Sequence, residues 1–372
     1  MAAMLPGRAT DAGTRRYAGR LAPAMPAANF RALAGVGLLS SVGIGTYLGR
    51  EDDVTDQLYR RAVARALERG LNVVDTAVNY RHQRSERAVG AALAEAVRRG
   101  VVQRDEVVLA TKGGYIPFDG QMPADPRAWF TETYLDSGIV RPGDVVGMHC
   151  MTPRYLDDQI ARSRANLGVE TIDVYYVHNP EGQLEAVARP AFFERLGEAF
   201  AALEAAVADG RIGCYGTATW NGYRQPPDAV DYLPLDEVVA TARDAGGDGH
   251  HFRVIQLPYN LAMPEAFTRA NQRVGRDTVS TLEAARRLGL YVMASASVYQ
   301  GRLTRGLPPV IADFLPGLSS DAQRATQFVR STPGIGTALV GMKSPAHVDE
   351  AVGVATTVPM PWEQFGRLFT EA

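Results

Sequence analysis

The feature that most constrains the fold is an alternation of short apolar segments with amphipathic segments, repeated eight times from Val42 onwards. Strands are predicted at residues 42–47, 73–74, 107–110, 172–177, 212–217, 252–257, 290–294 and 337–341. Helices are predicted at residues 55–69, 86–99, 153–167, 191–208, 235–245, 279–288, 320–331 and 345–354. Short apolar strands indicate a parallel sheet covered by helices. Eight strand–helix units therefore predict an α/β protein with a closed (β/α)8 TIM barrel rather than an open sheet.

The flanking and connecting segments complete the predicted architecture. Residues 1–29 are rich in Ala, Arg, Gly and Pro, so we expect a mobile tail there and the barrel domain over residues 30–372. Apolar pieces with glycines predict a short hairpin at residues 30–41. Long connections at residues 113–152, 179–190 and 260–277 each follow a strand. They are therefore expected on the C-terminal face, where barrels build active sites.

Composition narrows the class of protein. Apolar residues make up 46% of the 372 residues, and the net charge is −2, so neither a nucleic-acid partner nor an anionic membrane is expected. No apolar stretch approaches the ~20 residues that cross a bilayer, and we predict a cytoplasmic protein. Cys150 and Cys214 are interpreted as buried thiols. The pair His250-His251 lies in a Gly-rich loop, and no metal site is predicted.

Four polar residues lie at or just after predicted strand ends: Asp75, Tyr80, Lys112 and His178. The C-terminal ends of barrel strands meet at one mouth, so these side chains are expected to converge. An ammonium group near a phenol stabilises the phenolate and lowers the phenol's pKa, so the phenol can exchange a proton. Each residue also has a structural interpretation, such as loop packing for Tyr80, but four together favour a catalytic site.

The sequence resembles the aldo-keto reductase superfamily from Gly43 to about Val352. The segments that carry the resemblance are residues 74–77 with Tyr80, Ser85 and Glu86, and residues 110–112, 173–180, 213–220, 255–260 and 339–345. The resemblance implies an NADP(H)-dependent oxidoreductase that reduces an aldehyde or ketone to an alcohol, or the reverse. Tyr80 would be the general acid or base, Lys112 held by Asp75 would lower its pKa, and His178 would orient the carbonyl group.

The resemblance also implies a dinucleotide site with no metal. Gly45 and Thr46 would lie beside the nicotinamide ribose, and Gln256 would hold the carboxamide. The loop at residues 295–303 would follow the pyrophosphate, and Lys343 with Ser344 would bind the adenosine 2′-phosphate. The full set of implied cofactor residues is Gly45, Thr46, Ala218, Thr219, Gln256, Ser295, Ala296, Val298, Gly301, Leu303, Lys343, Ser344, His347 and Glu350.

Three positions depart from the family pattern. Ala218-Thr219 stands where the family has Ser-Asn, and Ser295 stands where many members stack an aromatic ring on the nicotinamide. His347 replaces an arginine, and neutral histidine binds phosphate more weakly than arginine does. The expected preference for NADP(H) over NAD(H) therefore depends mainly on Lys343, and use of both cofactors stays open.

The substrate is expected to be a small carbonyl compound or alcohol, bound against Tyr47, Trp129 and Trp220. Its identity, the preferred reaction direction and the oligomeric state are left open by the sequence. An alternative function is a sensor or auxiliary subunit that binds a nicotinamide nucleotide with little turnover.

Overall fold

The structure, a computed structural model, describes residues 4–369 and has a closed barrel of eight parallel strands at its centre. The strands in chain order are β1 (Phe30–Leu33), β2 (Gly37–Ser40), β3 (Val42–Gly45), β4 (Val73–Asp75), β5 (Val108–Gly113), β6 (Ile172–His178), β7 (Ile212–Ala218), β8 (Phe252–Pro258), β9 (Ala270–Val274), β10 (Asp277–Ser280), β11 (Tyr291–Ser295) and β12 (Thr337–Gly341). The barrel order is β11-β12-β3-β4-β5-β6-β7-β8, which confirms the predicted (β/α)8 barrel.

Helices connect the strands and cover the outside of the barrel. They are α1 (Asp11–Leu21), α2 (Asp53–Glu68), α3 (Arg84–Arg98), α4 (Pro126–Phe130), α5 (Pro153–Leu167), α6 (Arg189–Ala208), α7 (Leu235–Gly246), α8 (Glu265–Thr268), α9 (Thr281–Arg287), α10 (Val310–Phe314), α11 (Asp321–Ser331), α12 (Pro345–Ala355) and α13 (Trp362–Phe365). Within residues 4–369, no helix combines the length and apolarity that a membrane crossing would require.

Helix α2 shows how local sequence sets these elements. Asp52 accepts a hydrogen bond from the backbone N–H of Thr55 at 2.8 Å, which satisfies one of the free donors at the helix start. The buried side of the helix repeats at helical spacing through Tyr59, Ala62, Val63, Ala66 and Leu67. The helix therefore packs one apolar face on the barrel and turns its charged residues outward.

The barrel interior is a separate apolar cluster, filled by alternate residues of the strands. Val73, Val108 and Val174 point inward on β4, β5 and β6, and their neighbours Val74 and Leu109 belong to the outer core. Side chains alternate between the two faces of a strand. The interior cluster also contains Leu33, Val36 and Leu39 of the β1–β2 hairpin, which packs at the end opposite the strand C-termini and confirms the predicted hairpin.

The N-terminal segment differs from the predicted mobile tail. Residues 11–21 form α1, with Tyr17 buried and its hydroxyl donating to the carbonyl of Leu67 at 2.6 Å. Arg20 donates to both carboxylate oxygens of the buried Glu106, at 2.8 and 3.0 Å. These partners lie far along the chain, so the helix depends on tertiary contacts that composition does not reveal. Residues 1–3 lie outside the described part of the chain.

All three long connections carry structure of their own. The 179–190 connection contains a short helical turn at Pro180–Glu185. The 113–152 connection contains α4 followed by one π-helical turn at Thr131–Leu135. The 260–277 connection contains α8 and leads into a β9–β10 hairpin, so the following helix begins at Thr281 rather than near residue 279. The sequence had no alternating signal strong enough to place this hairpin.

Candidate active site

The two-residue period of the strands delivers the predicted polar residues to one place. The inward positions Val73, Val108 and Val174 are followed on the same faces by Asp75, Lys112 and His178, at the C-terminal ends of β4, β5 and β6. In the sheet register Asp75 pairs with Ala110, and Lys112 pairs with Tyr176. Adjacent strands therefore present a carboxylate, an ammonium group and an imidazole to the same mouth of the barrel.

Lys112 and Asp75 form a buried ion pair. The Lys112 ammonium donates to Asp75 Oδ2 at 2.6 Å and to the carbonyl of Thr76 at 2.8 Å, and its side chain is 1% exposed. The amide of Gln256 donates to the other oxygen, Asp75 Oδ1, at 2.8 Å. Burial lowers the pKa of Lys112, but Asp75 and Tyr80 together more than compensate, so the net pKa is raised and the ammonium stays charged.

Tyr80 lies above this pair at the cavity wall. The Lys112 ammonium lies 4.9 Å from the Tyr80 ring centre, and two of its three N–H donors are already used. Burial raises the pKa of Tyr80, and the charge of Lys112 opposes that rise. The predicted effect of Lys112 has the expected sign, but burial outweighs it. The phenol is therefore protonated at neutral pH, with a cation beside it to stabilise the phenolate.

His178 faces Tyr80 across the mouth, with ring centres 5.9 Å apart. Burial and the nearby Lys112 and His149 lower the pKa of His178 well below its usual value, so the imidazole is neutral. Its Nδ1 atom is buried without a hydrogen-bond partner among residues 4–369. With no acceptor beside Nδ1, the favoured tautomer carries its proton on Nε2. The edge of the ring packs against Tyr115, at 5.1 Å between ring centres.

A cavity of about 850 Å³ extends from this mouth along the C-terminal ends of the strands. Seventeen of the predicted site residues line it: Gly45, Thr46, Tyr47, Asp75, Tyr80, His178, Ala218, Thr219, Trp220, Gln256, Ser295, Ala296, Val298, Gly301, Lys343, His347 and Glu350. Lys112 lies beneath Tyr80 rather than at the surface of the cavity. The structure thus brings the two predicted groups, catalytic and cofactor-binding, into one continuous space.

Three more predicted residues do not line this cavity, because each makes contacts elsewhere. Trp129 packs edge-on against Phe118 and Tyr134 within the 113–152 connection. Ser344 is the N-cap of α12, where its hydroxyl accepts the backbone N–H of His347 at 3.4 Å. Leu303 packs against the outer apolar core.

The end of the cavity near β11 and β12 has the features of an anion site. Ala296, Tyr299 and Gln300 adopt left-handed backbone conformations, with φ of 52°, 47° and 55°, and Gly301 follows with φ of 89°. Such conformations occur in turns that bind anions, and here the N–H groups of Tyr299 and Gly301 already donate to the carbonyls of Ala296 and Val298. Lys343 is exposed and lines this end. Only two of the chain's 39 basic residues are lysines, and they are Lys112 and Lys343.

Sequence reasoning missed several cavity residues on the mouth side. Tyr115 and Asn179 line the cavity, and the Asn179 amide donates to the Tyr115 hydroxyl at 3.2 Å. Asn79, which precedes Tyr80, also lines it. Their positions just after β4, β5 and β6 are a signal that could have identified them, since that face holds the site. Within the described residues, no cluster of His, Cys, Asp and Glu could hold a metal ion.

Comparisons with known proteins identify the family of the chain. A family model described as the aldo/keto reductase family matches residues 41–306, more than half of the chain. The NADH-specific methylglyoxal reductase of Escherichia coli (strain K12) is 27% identical over 185 residues, 48% of each chain. The D-threo-aldose 1-dehydrogenase of a Pseudomonas species is 29% identical over 151 residues, 41% of this chain and 40% of its own length. The chain therefore spans about half the length, or less, of these curated relatives.

Solved structures share the fold. An aldo/keto reductase from Klebsiella pneumoniae in complex with NADP and acetate is 22% identical, with a TM-score of 0.61 over 92% of this chain and 95% of that one. The holo form of an aldo-keto reductase from Bacillus halodurans is 19% identical, with a TM-score of 0.62 over 92% and 96%. At these identities the likeness shows the fold alone. On the match of the family model, the chain belongs to the aldo/keto reductase family.

Proposed function

We propose that this protein is an NADP(H)-dependent oxidoreductase that interconverts a small carbonyl compound and its alcohol. The observation that carries the proposal is the arrangement at the barrel mouth. A protonated phenol, Tyr80, lies above the buried pair Lys112–Asp75 and faces a neutral imidazole, His178. A weak acid with an adjacent fixed cation can give up a proton as charge develops on a substrate oxygen.

Tyr80 is the general acid in this proposal. Burial keeps the phenol protonated before reaction, and Lys112 stabilises the phenolate that remains afterwards. When bound, the nicotinamide supplies the hydride. In the reduction the carbonyl carbon gains the hydride, the carbonyl oxygen gains the Tyr80 proton, and the C=O π bond breaks. In the reverse direction the phenolate takes the proton of the alcohol.

His178 orients the carbonyl group. A neutral imidazole protonated on Nε2 is a hydrogen-bond donor that adds no charge of its own to the mouth. Lys112 and burial both disfavour the imidazolium form. Placed opposite Tyr80, this donor would stabilise the developing negative charge on the oxygen without forming a covalent intermediate.

The residues of the cavity fit a phosphorylated dinucleotide. The left-handed turn at residues 299–301 and the exposed ammonium of Lys343 suit phosphate groups at one end. Toward the mouth, the Thr219 hydroxyl is buried with no hydrogen-bond partner in the described chain, as expected for a group that awaits a ligand. Lys343 supports NADP(H), and the withdrawal of Ser344 into the α12 cap leaves that preference to a single cation.

The substrate is an uncharged carbonyl compound. The cavity wall on the β4–β7 side is formed by neutral side chains such as Tyr47, Tyr115, Asn179 and Trp220. Lys112, the nearest cation, is already paired with Asp75. A substrate carboxylate would find no free cation there, and burying it unpaired is costly. The names of the two curated relatives specify methylglyoxal and an aldose, which are also uncharged.

Replacing Tyr80 tests the assignment. Tyr80→Phe removes the proton donor and is expected to lower kcat/KM for carbonyl reduction by about 10²–10⁴-fold, the usual contribution of general acid catalysis. The dissociation constant for NADPH, measured by fluorescence titration, is expected to stay unchanged. Turnover is followed as NADPH oxidation with a panel of uncharged aldehydes and ketones.

Tyr47→Phe is the matched control, because it removes a hydroxyl from the ring that packs 5.0 Å from Tyr80. That variant is expected to retain activity within about tenfold, the scale of one hydrogen bond. Equal losses in both variants would refute Tyr80 as the acid. Tight NADPH binding without turnover of any carbonyl by the unaltered protein would favour the alternative function as a nucleotide sensor.

A further inference from the structure

Glu181 is a buried carboxylate that the proposed chemistry does not use. It lies in the short helical turn Pro180–Glu185 that follows β6, and it is 4% exposed. Its Oε1 atom accepts the backbone N–H groups of Trp220, Asn221 and Gly222 at 2.7, 3.1 and 3.4 Å. Its Oε2 atom is buried with no partner among residues 4–369. The carboxylate is thus compensated by backbone N–H dipoles, and no side-chain cation of residues 4–369 forms an ion pair with it.

The three N–H groups belong to the turn that places Trp220 at the cavity. This turn follows β7, and both Thr219 and Trp220 line the cavity. The carbonyl side of the turn is tied down, because Trp220 O accepts from Arg224 Nε at 3.1 Å and Gly222 O accepts from Leu233 N at 2.9 Å. The N–H side has Glu181 as its acceptor. Among the described residues no aromatic ring packs against the Trp220 indole, which is 40% exposed.

We propose that Glu181 is a positioning residue: its carboxylate holds the Trp220 turn against the cavity, and loss of its charge loosens the turn and weakens substrate binding. The substrate part of this inference rests on the proposed function, whereas the positioning part does not. Hydrogen bonds to a charged acceptor are roughly twice as strong as those to a neutral one. Three bonds that share one oxygen depend together on the charge of that oxygen.

The charge of Glu181 is sensitive to pH near neutrality. Burial raises the pKa of this carboxyl to about 7, although its own backbone N–H and those of Trp220, Asn221 and Gly222 oppose the rise. When the pKa of a carboxyl is higher in the folded than in the unfolded state, the fold loses stability as the pH rises from the unfolded-state pKa to the folded-state pKa. Ionisation of Glu181 therefore lowers the stability of the fold. Such a cost is typical of a group that positions part of a functional site.

The buried tyrosines and histidines near Glu181 do not change their charge near neutral pH. Burial raises the pKa of Tyr115 and Tyr223 and lowers the pKa of His149, to about 4, and of His178, so these groups stay neutral across neutral pH. The titratable or charged side chains on the elements around Glu181 include Tyr115, His149, His178, Glu185, Arg195, Tyr223, Arg224, Asp231 and Glu265.

Fluorescence of Trp220 tests the proposal without any turnover. The chain has three tryptophans, so the double variant Trp129→Phe/Trp362→Phe leaves Trp220 as the single emitter. Its emission maximum and its quenching by acrylamide are measured from about pH 6 to about pH 9. This range spans the raised pKa of Glu181 and lies above the pKa of an ordinary carboxyl. We expect one transition centred near pH 7, with greater quenching on the acid side.

Two further variants assign that transition. Glu181→Gln in the same background removes the charge and is expected to abolish the transition, with quenching fixed at the acid level. Glu185→Gln is the matched control, because it makes the same change at an exposed position of the same turn. It is expected to keep the transition.

Kinetics connect the turn to the substrate. At pH about 8.5, where the raised pKa leaves Glu181 ionised, Glu181→Gln in the otherwise unaltered chain is expected to raise KM about 3- to 10-fold, the scale of one net hydrogen bond. The value of kcat at saturation and the dissociation constant for NADPH are expected to change less than twofold.

The proposal is overturned if Glu181→Gln keeps the fluorescence transition, or if the double variant shows none. Should Glu181→Gln fail to fold, Glu181→Asp in the double variant replaces it: the shorter carboxylate is expected to shift the midpoint of the transition, and an unchanged midpoint overturns the proposal. A fluorescence transition in a protein that reduces no carbonyl would refute the proposed function and leave the positioning role intact.

Discussion

The ammonium of Lys112 makes a set of contacts that arginine could not reproduce in the same place. Its compact ammonium supplies two donors to Asp75 and Thr76 and leaves one directed away from them, beside Tyr80. A guanidinium group is planar and larger, and its donors form a fixed fork. In a chain whose basic residues are almost all arginines, a buried lysine therefore indicates a geometric requirement of the site.

Lys343 is expected to determine the choice of cofactor. Lys343→Ala removes the one cation of the β12–α12 connection that lines the cavity. We expect the dissociation constant for NADPH to rise about 10- to 100-fold, the scale of a charged hydrogen bond, and that for NADH to change little. Both constants can be measured by isothermal titration calorimetry.

The exposed Arg305→Ala variant controls for a general loss of positive charge, since Arg305 does not line the cavity. Equal weakening of NADPH and NADH in Lys343→Ala would contradict a role in recognising the 2′-phosphate.

At this scale, sequence reasoning places residues that lie on strands better than residues that lie on loops. Asp75, Lys112 and His178 converge because a strand's two-residue period fixes the direction of each side chain. Trp129 and Ser344 do not line the cavity, because loop packing and a helix cap decided their positions. The net rise in the pKa of Tyr80 also required the structure, since burial is not visible in the spacing of residues.

The element that follows Tyr80 is a strained turn. Arg81, His82 and Gln83 all have left-handed backbones, with φ of 51°, 53° and 70°. This conformation costs about 1–2 kcal/mol for each residue with a Cβ atom. Arg81 donates to the carbonyl of Arg50 and to Asp56, and Gln83 donates to the carbonyl of Phe118 at 2.9 Å. Neighbouring loops therefore hold the turn in place, and with it the start of α3.

The start of α3, directly after this turn, differs from the start predicted from the sequence. The sequence predicts a helix that begins at residue 86, directly after Ser85, but α3 begins at Arg84. The Ser85 hydroxyl donates instead to the carbonyl of Thr46 at 2.8 Å. A serine before an apolar run predicts a cap on local grounds, and a distant acceptor on the β3–α2 connection competes for the same hydroxyl.

Helix α1 provides a test at the scale of one element. Arg20→Ala breaks two hydrogen bonds to the buried Glu106 and is expected to lower the free energy of unfolding by about 1–2 kcal/mol, a value discounted because Arg20 is half exposed. Urea denaturation followed by circular dichroism measures the change. Arg15→Ala in the same helix removes only a solvent-exposed pair with Asp11 and is expected to have no measurable effect. Similar losses in the two variants would show that α1 contributes little through Glu106.

At the scale of the whole molecule, the eight-fold alternation was sufficient to predict the closed barrel. The alternation works because each strand must be apolar on both faces and each helix on only one. Helix α1 and the β9–β10 hairpin were not predicted, since both depend on partners that are distant in sequence or on short segments without a clear period. The barrel could thus be predicted from the alternation of strands and helices. Helix α1 and the β9–β10 hairpin depend on tertiary contacts.

The scarcity of lysine gives the molecule a built-in chemical reporter. Apart from the chain's amino terminus, Lys343 is the accessible primary amine, because Lys112 is buried and ion-paired. An amine-reactive acylating dye at neutral pH is therefore expected to label one lysine peptide, detectable by mass spectrometry. Saturating NADP⁺ should slow that labelling at least severalfold, and NAD⁺ should slow it much less. Unchanged labelling in the presence of NADP⁺ would contradict a 2′-phosphate site at Lys343. Protection from labelling would report binding at this end of the cavity without any measurement of catalysis.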